Sequence, residues 1–342
     1  MNQIKAIVAH EPITPLKQNW SLQDVDLKDP GDDEVLVEMY AVGICHTDIV
    51  LGSVPTGTIG VQYPKVLGHE GAGIARQVGK NVQSIEPGDP VLLSFNSCAS
   101  CSQCLESHPG YCDTFANRNY TGEQHSTNLS STDEKVWTGF FGQSSFAQYG
   151  IVHKTSIVNG KDLIQDLSEL KLFASLGCGF QTGMGAIQNI TEASPDDTVL
   201  ITGLGAVGMG AIMTAVNSQC KTIIAIDRVK SRLNLAKELG ATHIIDTSEP
   251  TFTSLMEAVH ELIPTGVTIA IDTTGVPEIL EQSIKATRKR GKIVMIGVPP
   301  FGWELKVPAT EHLNSGRSLM GCIMGDCDSQ KVSMLQVVFL IG

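Results

Sequence analysis

The chain reads as an α/β protein of two domains, an irregular barrel-like β domain followed by a doubly wound parallel sheet. Three observations predict it. Residues 1–160 carry short strand-like runs separated by turns rich in glycine and proline. From residue 198 the period changes, and strand-like runs alternate with helical ones. The change is marked by three glycines set between a strand and a helix. The expected boundaries are 1–160 for the first domain, 170–320 for the second, and 321–342 for a short closing segment.

Length and composition agree with that division. At 342 residues the chain is long for a single core, and its 42% apolar content suffices for two ordinary ones. A net charge of −12 argues against a nucleic-acid partner, which needs a basic face. No run approaches the length of a membrane span. The first residues, Met1-Asn2-Gln3-Ile4-Lys5, enter a strand-like run with no signal-peptide pattern. A cytoplasmic, reducing setting is the expectation. There the nine cysteines are metal ligands or buried thiols rather than disulfides. Asn119-Tyr120-Thr121 and Asn128-Leu129-Ser130 match a glycosylation pattern that carries no weight without a secretory signal.

In the first half, strands are expected at 5–9, 34–39, 73–78 and 91–95, with a turn at Pro87-Gly88-Asp89. Four of the nine cysteines, Cys98, Cys101, Cys104 and Cys112, fall within fifteen residues. Four thiolates at that spacing suit a closed tetrahedral structural zinc site. A chance or redox cluster is the plainer alternative. Residues 117–135 are polar and almost free of aliphatics, and read as a loop that either borders a substrate cleft or is simply solvated.

A second cysteine pattern points to chemistry. Catalytic zinc takes three protein ligands and keeps one position open. Cys45 in Gly43-Ile44-Cys45-His46-Thr47-Asp48, His69 in Gly68-His69-Glu70-Gly71, and Cys178 in Gly177-Cys178-Gly179-Phe180 are candidates that only a fold could bring together. Each has a plainer reading as a packed thiol or a satisfied core histidine.

The second half opens with a strand at 198–201, then Gly203, Gly205 and Gly208 in G-x-G-x-x-G, then an apolar helix over 209–217. A strand at 222–226 ends at Asp227, nineteen residues past the last glycine. Such glycines let the backbone turn tightly and approach a pyrophosphate at the helix N-terminus. Asp227 would accept hydrogen bonds from the adenosine ribose hydroxyls and repel a 2′-phosphate, favouring NAD over NADP; Arg228 weakens that preference. Helices at 229–239, within 252–262 and at 278–289, with strands at 243–245, 267–271 and 292–296, extend the alternation. The alternative is a βαβ protein that uses its glycines only for packing.

Together these pieces resemble the zinc-dependent medium-chain alcohol dehydrogenases. The likeness runs from about Ile4 to Gly325, and Ser94-Phe95-Asn96-Ser97-Cys98 with Gly179-Phe180-Gln181-Thr182-Gly183 is most similar to the aryl- or benzyl-alcohol branch. The resemblance implies a GroES-like catalytic domain and a Rossmann domain binding NAD. Cys45, His69 and Cys178 would hold catalytic zinc, with Glu70 and Asp48 as carboxylates close behind it. Cys98, Cys101, Cys104 and Cys112 would hold structural zinc. Thr47 would handle the substrate hydroxyl and its proton, and His46 would lie near the pyrophosphate or on a proton path. Thr182 and Val298 would line the nicotinamide, and Phe95 the substrate pocket. A homo-oligomer is implied, with 319–324 at the contact. Cys220, Cys322 and Cys327 are expected to be structural, and His108, His125, His153 and His243 to be non-ligands.

The expected activity is hydride transfer between NAD(H) and a primary aromatic or bulky alcohol or its aldehyde, with a biosynthetic role in secondary metabolism as one setting. The rivals are a glutathione-linked formaldehyde dehydrogenase, a polyol dehydrogenase, and a non-catalytic zinc and nucleotide binding protein. Two departures from the family pattern stand out. The run Ile49-Val50-Leu51 lacks the histidine that relays the proton in many members. The family's return segment is expected to be shortened here, leaving the apolar run Val337-Val338-Phe339-Leu340-Ile341 without its sheet partners.

Overall fold

The protein is seen in a computed structural model that describes residues 2–14, 17–122 and 127–330. They form two compact units. The first runs up to Cys178 and takes in the described chain again from Asp328; the second is Gly179–Cys327.

The first unit is built on β1 (Asn2–Ala9), β2 (Trp20–Leu27), β3 (Glu34–Gly43), β4 (Lys65–Val66), β5 (Glu70–Val78), β6 (Pro90–Leu93), β7 (Thr127–Leu129), β8 (Tyr149–His153) and β9 (Ile157–Asn159). Short helices interrupt it: α1 (His46–Leu51), α2 (Ser102–Leu105) and α3 (Leu170–Phe173). One sheet has the order β4-β1-β2-β7, the other β8-β3-β5-β6-β9. In β1, Ile4, Ala6 and Val8 are buried while Lys5 and Ile7 face out, the two-residue period of a half-buried strand. The larger sheet closes over Val35, Val37, Ala75, Val91, Leu93, Val152 and Ile157.

Two expectations change here. Residues 117–135 are not a plain loop. Asn117–Thr121 forms a π-helical turn, and β7 adds a strand beside β2. Buried Asn119 explains the turn: its side chain donates to the carbonyls of Asn96 and Phe115 and accepts from the Asn96 amide. The Asn119 amide is thereby closed to glycosylation. The contact boundary also falls at Cys178, beyond 160, because α3 and the 3-10 turn Ala174–Gly177 pack on β3, β5 and β6.

The second unit comprises α4 (Gly179–Gly185), β10 (Thr198–Thr202), α5 (Ala206–Asn217), β11 (Thr222–Asp227), α6 (Lys230–Glu238), β12 (His243–Asp246), α7 (Leu255–Leu262), β13 (Val267–Asp272), α8 (Pro277–Ala286), β14 (Thr287–Met295), α9 (Ala309–Ser315) and β15 (Ser318–Gly321). Its six strands are all parallel, in the order β12-β11-β10-β13-β14-β15. Both faces are buried. Val199, Ile201, Ile223, Ala225, Ile269 and Val294 belong to one apolar layer. Leu200, Ile224, Ile226, Ala270 and Ile293 belong to the other. Near-continuous apolar strands are what a two-faced parallel sheet demands. The chain reverses its direction of winding between β10 and β13, the Rossmann arrangement, which opens a ligand crevice at their carboxyl ends.

The helix expected over 278–289 stops at Ala286. Thr287 closes it by donating its hydroxyl to the Ser283 carbonyl at 2.7 Å, and pairs with Val267 as the start of β14. Ladder pairing there outweighs the helical preference of the following Arg and Lys residues. The 3-10 turn Met324–Asp326 belongs to the second unit. From Asp328 the chain joins the first, where Gln330 donates to the Lys154 and Ile157 carbonyls at 3.1 and 2.9 Å. The expected apolar run 337–341 and His125 lie outside the described residues. No described helix is long and apolar enough to cross a membrane.

Candidate metal centre

Within the first unit, donor atoms of Cys45, His69, Glu70 and Cys178 lie within 4.8 Å of one another. Each arrives from a different place. Cys45 caps the N-terminus of α1, where β3 ends. His69 and Glu70 stand at the start of β5, and Cys178 ends the turns that follow α3. Glycine at 43 is needed for this: a Cβ there would run into the Glu70 carboxylate.

Asp48 organises the cluster from behind. It is fully buried. One of its oxygens accepts from the Cys45 amide at 3.0 Å. The other accepts from the Gly68 amide at 3.1 Å and meets His69 Nδ1 at 2.9 Å. His69 is also held by rings, stacked on Phe141 at 4.5 Å and 24° and edge-on to Phe140 at 5.5 Å. With Nδ1 engaged, Nε2 is buried and has no hydrogen-bond partner among the described residues. An orphaned imidazole nitrogen facing two thiols is a metal-ligand arrangement, since a buried polar atom left alone is costly.

The electrostatics fit the same group. The Cys45 thiol is held at about 3, first by its hydrogen bond with Cys178, against burial, with help from His69. The Cys178 thiol is pushed well up by that shared proton and by burial. Burial works against charge on His69, but the adjacent Asp48 carboxylate and Cys45 outweigh it and raise the ring to about 10. Burial, then the Cys45 charge, lifts Glu70 to about 7. The cluster thus favours positive charge among its sulfur and nitrogen donors, as a divalent cation would supply. Two thiolates and one imidazole are soft-to-borderline donors that suit zinc, and Cys2His is the established ligand set of zinc alcohol dehydrogenases. Cys45 is only half-buried, so the cluster is open on its side.

Cys98, Cys101, Cys104 and Cys112 form the second cluster, their sulfurs also within 4.8 Å of one another. Backbone amides serve the sulfurs: Cys98 N–H points at Cys112 Sγ at 3.4 Å and Cys101 N–H at Cys98 Sγ at 3.3 Å. Cys98 falls to about 5, first through the Ser100 amide, while burial and then Cys101 push Cys104 to about 12. Four thiols with no carboxylate or histidine among them fit a closed zinc site.

The remaining expected residues are placed as follows. His46 is exposed and Thr47 half-buried in the first turn of α1, with the Thr47 amide against the Cys45 thiol. In the second unit, Gly203 has φ +84°, a turn that Gly alone adopts freely. Gly205 caps α5, and a Cβ on Gly208 would strike the Gly203 carbonyl. Asp227 accepts from the amides of Leu204, Arg228 and Val229 at 2.7, 2.7 and 2.9 Å, with the Arg232 guanidinium 3.7 Å away. Arg228 is exposed, Thr182 is buried in α4, and Val298 is 60% exposed. Phe95, expected to line the substrate pocket, lies in the first unit. It is buried against Phe115 and lines a cavity of about 510 Å³ with Ser97, Cys104 and Lys154, a cavity that none of Cys45, His69, Glu70 or Cys178 lines. Cys220, Cys322 and Cys327 are buried outside both clusters, and His108, His153 and His243 join neither.

Three residues escaped the sequence reading. Phe141, Gln143 and Asp272 all touch these sites. Asp272 ends β13 and accepts from Thr202 Oγ1, Thr274 Oγ1 and the Thr274 and Gly275 amides. Its sequence signal was an acid closing an apolar run before Thr-Thr-Gly, as Asp227 closes its own. Phe141 and Gln143 carried no such signal.

Comparison with known proteins points to one family. Residues 31–162 match the alcohol dehydrogenase GroES-like domain, and 206–338 the zinc-binding dehydrogenase family. The chain is 35% identical over 317 residues to geraniol dehydrogenase of Castellaniella defragrans, covering 91% of this chain and 82% of that one. Benzyl alcohol dehydrogenase of Acinetobacter calcoaceticus superposes with a TM-score of 0.87 at 35% identity, over 99% of this chain and 89% of that one. An alcohol dehydrogenase zinc-binding domain protein of Burkholderia ambifaria gives 0.89 at 34% identity, over 99% and 89%. A GroES-like domain and a Rossmann domain thus occur together in one chain, and the chain belongs to the zinc-dependent medium-chain alcohol dehydrogenases, a family of oxidoreductases.

Proposed function

We propose that this chain is an NAD-linked dehydrogenase of primary alcohols bearing an aromatic or similarly bulky group, working in either direction with the matching aldehyde. The observation that carries the reading is the buried Nε2 of His69, without a hydrogen-bond partner among the described residues, beside Cys45 and Cys178. These three residues would hold the catalytic zinc, and Cys98, Cys101, Cys104 and Cys112 the structural one. When bound, zinc supplies Lewis acidity toward the alcohol oxygen and the dinucleotide supplies the hydride acceptor.

The protein's own groups do the rest. Asp48 fixes the His69 tautomer by engaging Nδ1, so that Nε2 is the free donor. Thr47 Oγ1 takes the proton of the substrate hydroxyl and passes it toward exposed His46, since Ile49, Val50 and Leu51 carry no acid or base. Glu70, with a carboxyl near neutrality, stands as a reserve oxygen donor beside the sulfurs. Gly203, Gly205 and Gly208 bring backbone against the pyrophosphate at the start of α5. Asp227 keeps one lone-pair direction for a ribose hydroxyl after its three amides, which supports NAD over NADP. Thr182 and Val298 are assigned to the nicotinamide.

The aromatic or bulky preference rests on the rings beside His69. Phe141 meets Phe115 and Tyr120 at 6.2 and 5.8 Å, which gives the ligand-bearing side of the unit an aromatic character. The names of the geraniol and benzyl alcohol relatives support the same class. Self-association through 319–324 at the β15 edge completes the reading, and light scattering tests it.

The test is NADH formation with NAD⁺ and a panel of benzylic, allylic, short-chain and polyol substrates, with and without glutathione. Turnover of benzylic or allylic alcohols, lost in Cys45→Ser, is the expected result. Turnover confined to polyols or to the formaldehyde–glutathione adduct would replace the substrate class. Binding of NADH with no turnover of any alcohol would support the non-catalytic reading instead.

A further inference from the structure

Gln143 is fully buried yet lies in neither metal cluster. Its carboxamide is used at both ends. Nε2 donates to the His69 carbonyl at 2.8 Å and to the Ser94 carbonyl at 2.9 Å. Oε1 accepts from the Gly71 amide at 3.0 Å. Only one orientation of the amide satisfies two carbonyls and one N–H.

The place it fills explains why it is needed. Strands β5 and β6 pair through Ala72 with Leu92, Gly73 with Val91 and Ile74 with Pro90. Continued by two residues, that register would set Glu70 opposite Ser94. The ladder stops before it gets there, and the Gln143 amide bridges the gap as a peptide group of a neighbouring strand would. Ser94, also fully buried, carries the connection on. Its hydroxyl donates to the Gly177 carbonyl at 2.8 Å, one residue before Cys178. A continuous buried path therefore runs from the His69 backbone through Gln143 and Ser94 to the backbone at Gly177. Asp48 ties Cys45 to His69 by another route.

We propose that Gln143 is a positioning residue whose carboxamide, acting with Ser94, sets the spacing between His69 and Cys178 and so the affinity and geometry of the metal held there. The proposal rests on the metal reading of Cys45, His69 and Cys178 given above. A donor reaching a metal needs placement to a few tenths of an ångström, and outer groups that orient ligands typically matter by ten- to hundredfold in metal affinity. Loss of the amide leaves two buried carbonyls and one buried N–H unserved beside a ligand. The segments bearing His69 and Cys178 can then move apart without unfolding either sheet.

The test uses the full chain and reads metal binding rather than turnover. Zinc affinity is measured by chelator competition, and the geometry by the visible spectrum of the cobalt-substituted protein. Wild type and Cys45→Ser are compared first. If both bind the same number of ions with the same spectrum, the metal reading itself falls, whatever Gln143 does. If Cys45→Ser loses one ion, the site is assigned and Gln143→Met and Gln143→Glu are measured against it. The expected result is ten- to hundredfold weaker binding at that site, with altered ligand-field bands, while the four-cysteine site is unchanged and reports that the unit is folded. The carboxylate of Gln143→Glu matches the shape but cannot donate to two carbonyls, so it must also weaken the site. Ser94→Ala removes only the last link and should cost three- to tenfold, which keeps the proposal testable if the Gln143 variants fail to fold. Variants that fold and bind with wild-type affinity and spectrum would overturn it.

Discussion

Asp48 Oδ1 meets His69 Nδ1 at 2.9 Å, and neither side chain is exposed. That pair decides which nitrogen of the imidazole is free. The same carboxylate accepts the Cys45 and Gly68 amides, so one side chain fixes both the ring and the segment bearing the neighbouring thiol.

Asp48→Asn is therefore expected to weaken zinc at the Cys45 cluster by about ten- to hundredfold. An amide offers a single acceptor oxygen where three donors converge. Chelator competition gives the affinity, and the four-cysteine site provides the reference within the same molecule. An unchanged affinity would show that Asp48 does not orient the ring.

Loss of the other cluster should act on stability rather than on nucleotide binding. Cys98–Cys112 is a loop with a short helix, α2, and the 3-10 turn Pro109–Tyr111, and the backbone amides of Cys98, Ser100 and Cys101 are aimed at its sulfurs. Cys104→Ser is expected to lower zinc content by one ion per chain and the thermal midpoint by on the order of 5–10 °C. NADH binding by the second unit should persist. Calorimetry and fluorescence titration check the two halves of the statement.

Lys65 is fully buried, its amine donating to the Thr121 carbonyl at 2.7 Å with the Phe140 ring centroid 5.8 Å away. Burial pulls its amine down to about 7. Between that value and the 10.5 of an unfolded lysine, the unfolded chain binds the extra proton, so stability gained from this group rises with pH across the interval and is flat below it. Lys65→Met removes the titration. Wild-type stability should gain on Lys65→Met by about 1.4 kcal/mol per pH unit in the middle of that window. Parallel urea midpoints from pH 7 to 9.5 would refute the burial argument.

Asp227 serves three amides of the nucleotide loop. Asp227→Asn should lower NADH affinity by about tenfold, roughly 1.4 kcal/mol, and narrow the preference over NADPH. Fluorescence titration with both cofactors measures it. Equal losses for the two would mean that the carboxylate only braces the loop.

The parallel sheet was legible in sequence because its strands are buried on both faces and read as apolar runs, as at Val199, Leu200 and Ile201. The barrel-like unit was harder. In β2 the exposed residues Ser21, Leu22 and Asp24 mix polar and apolar types, and the strand showed no clean alternation. Asn117–Thr121 looked solvated because nothing local announces that Asn119 is buried. The ligand candidates were visible because cysteine and histidine in fixed motifs carry their chemistry with them. Phe141 and Gln143 were not, because their roles come from long-range contacts: one stacks on His69 from a distant turn, and the other joins two strands that diverge.

The central claim is that Cys45, His69 and Cys178 hold a metal ion of their own. Zinc content per folded chain, measured for wild type and Cys45→Ser side by side, tests it most directly. Two ions in wild type and one in Cys45→Ser is the expected result. One ion in each, with the four-cysteine site filled, would contradict it.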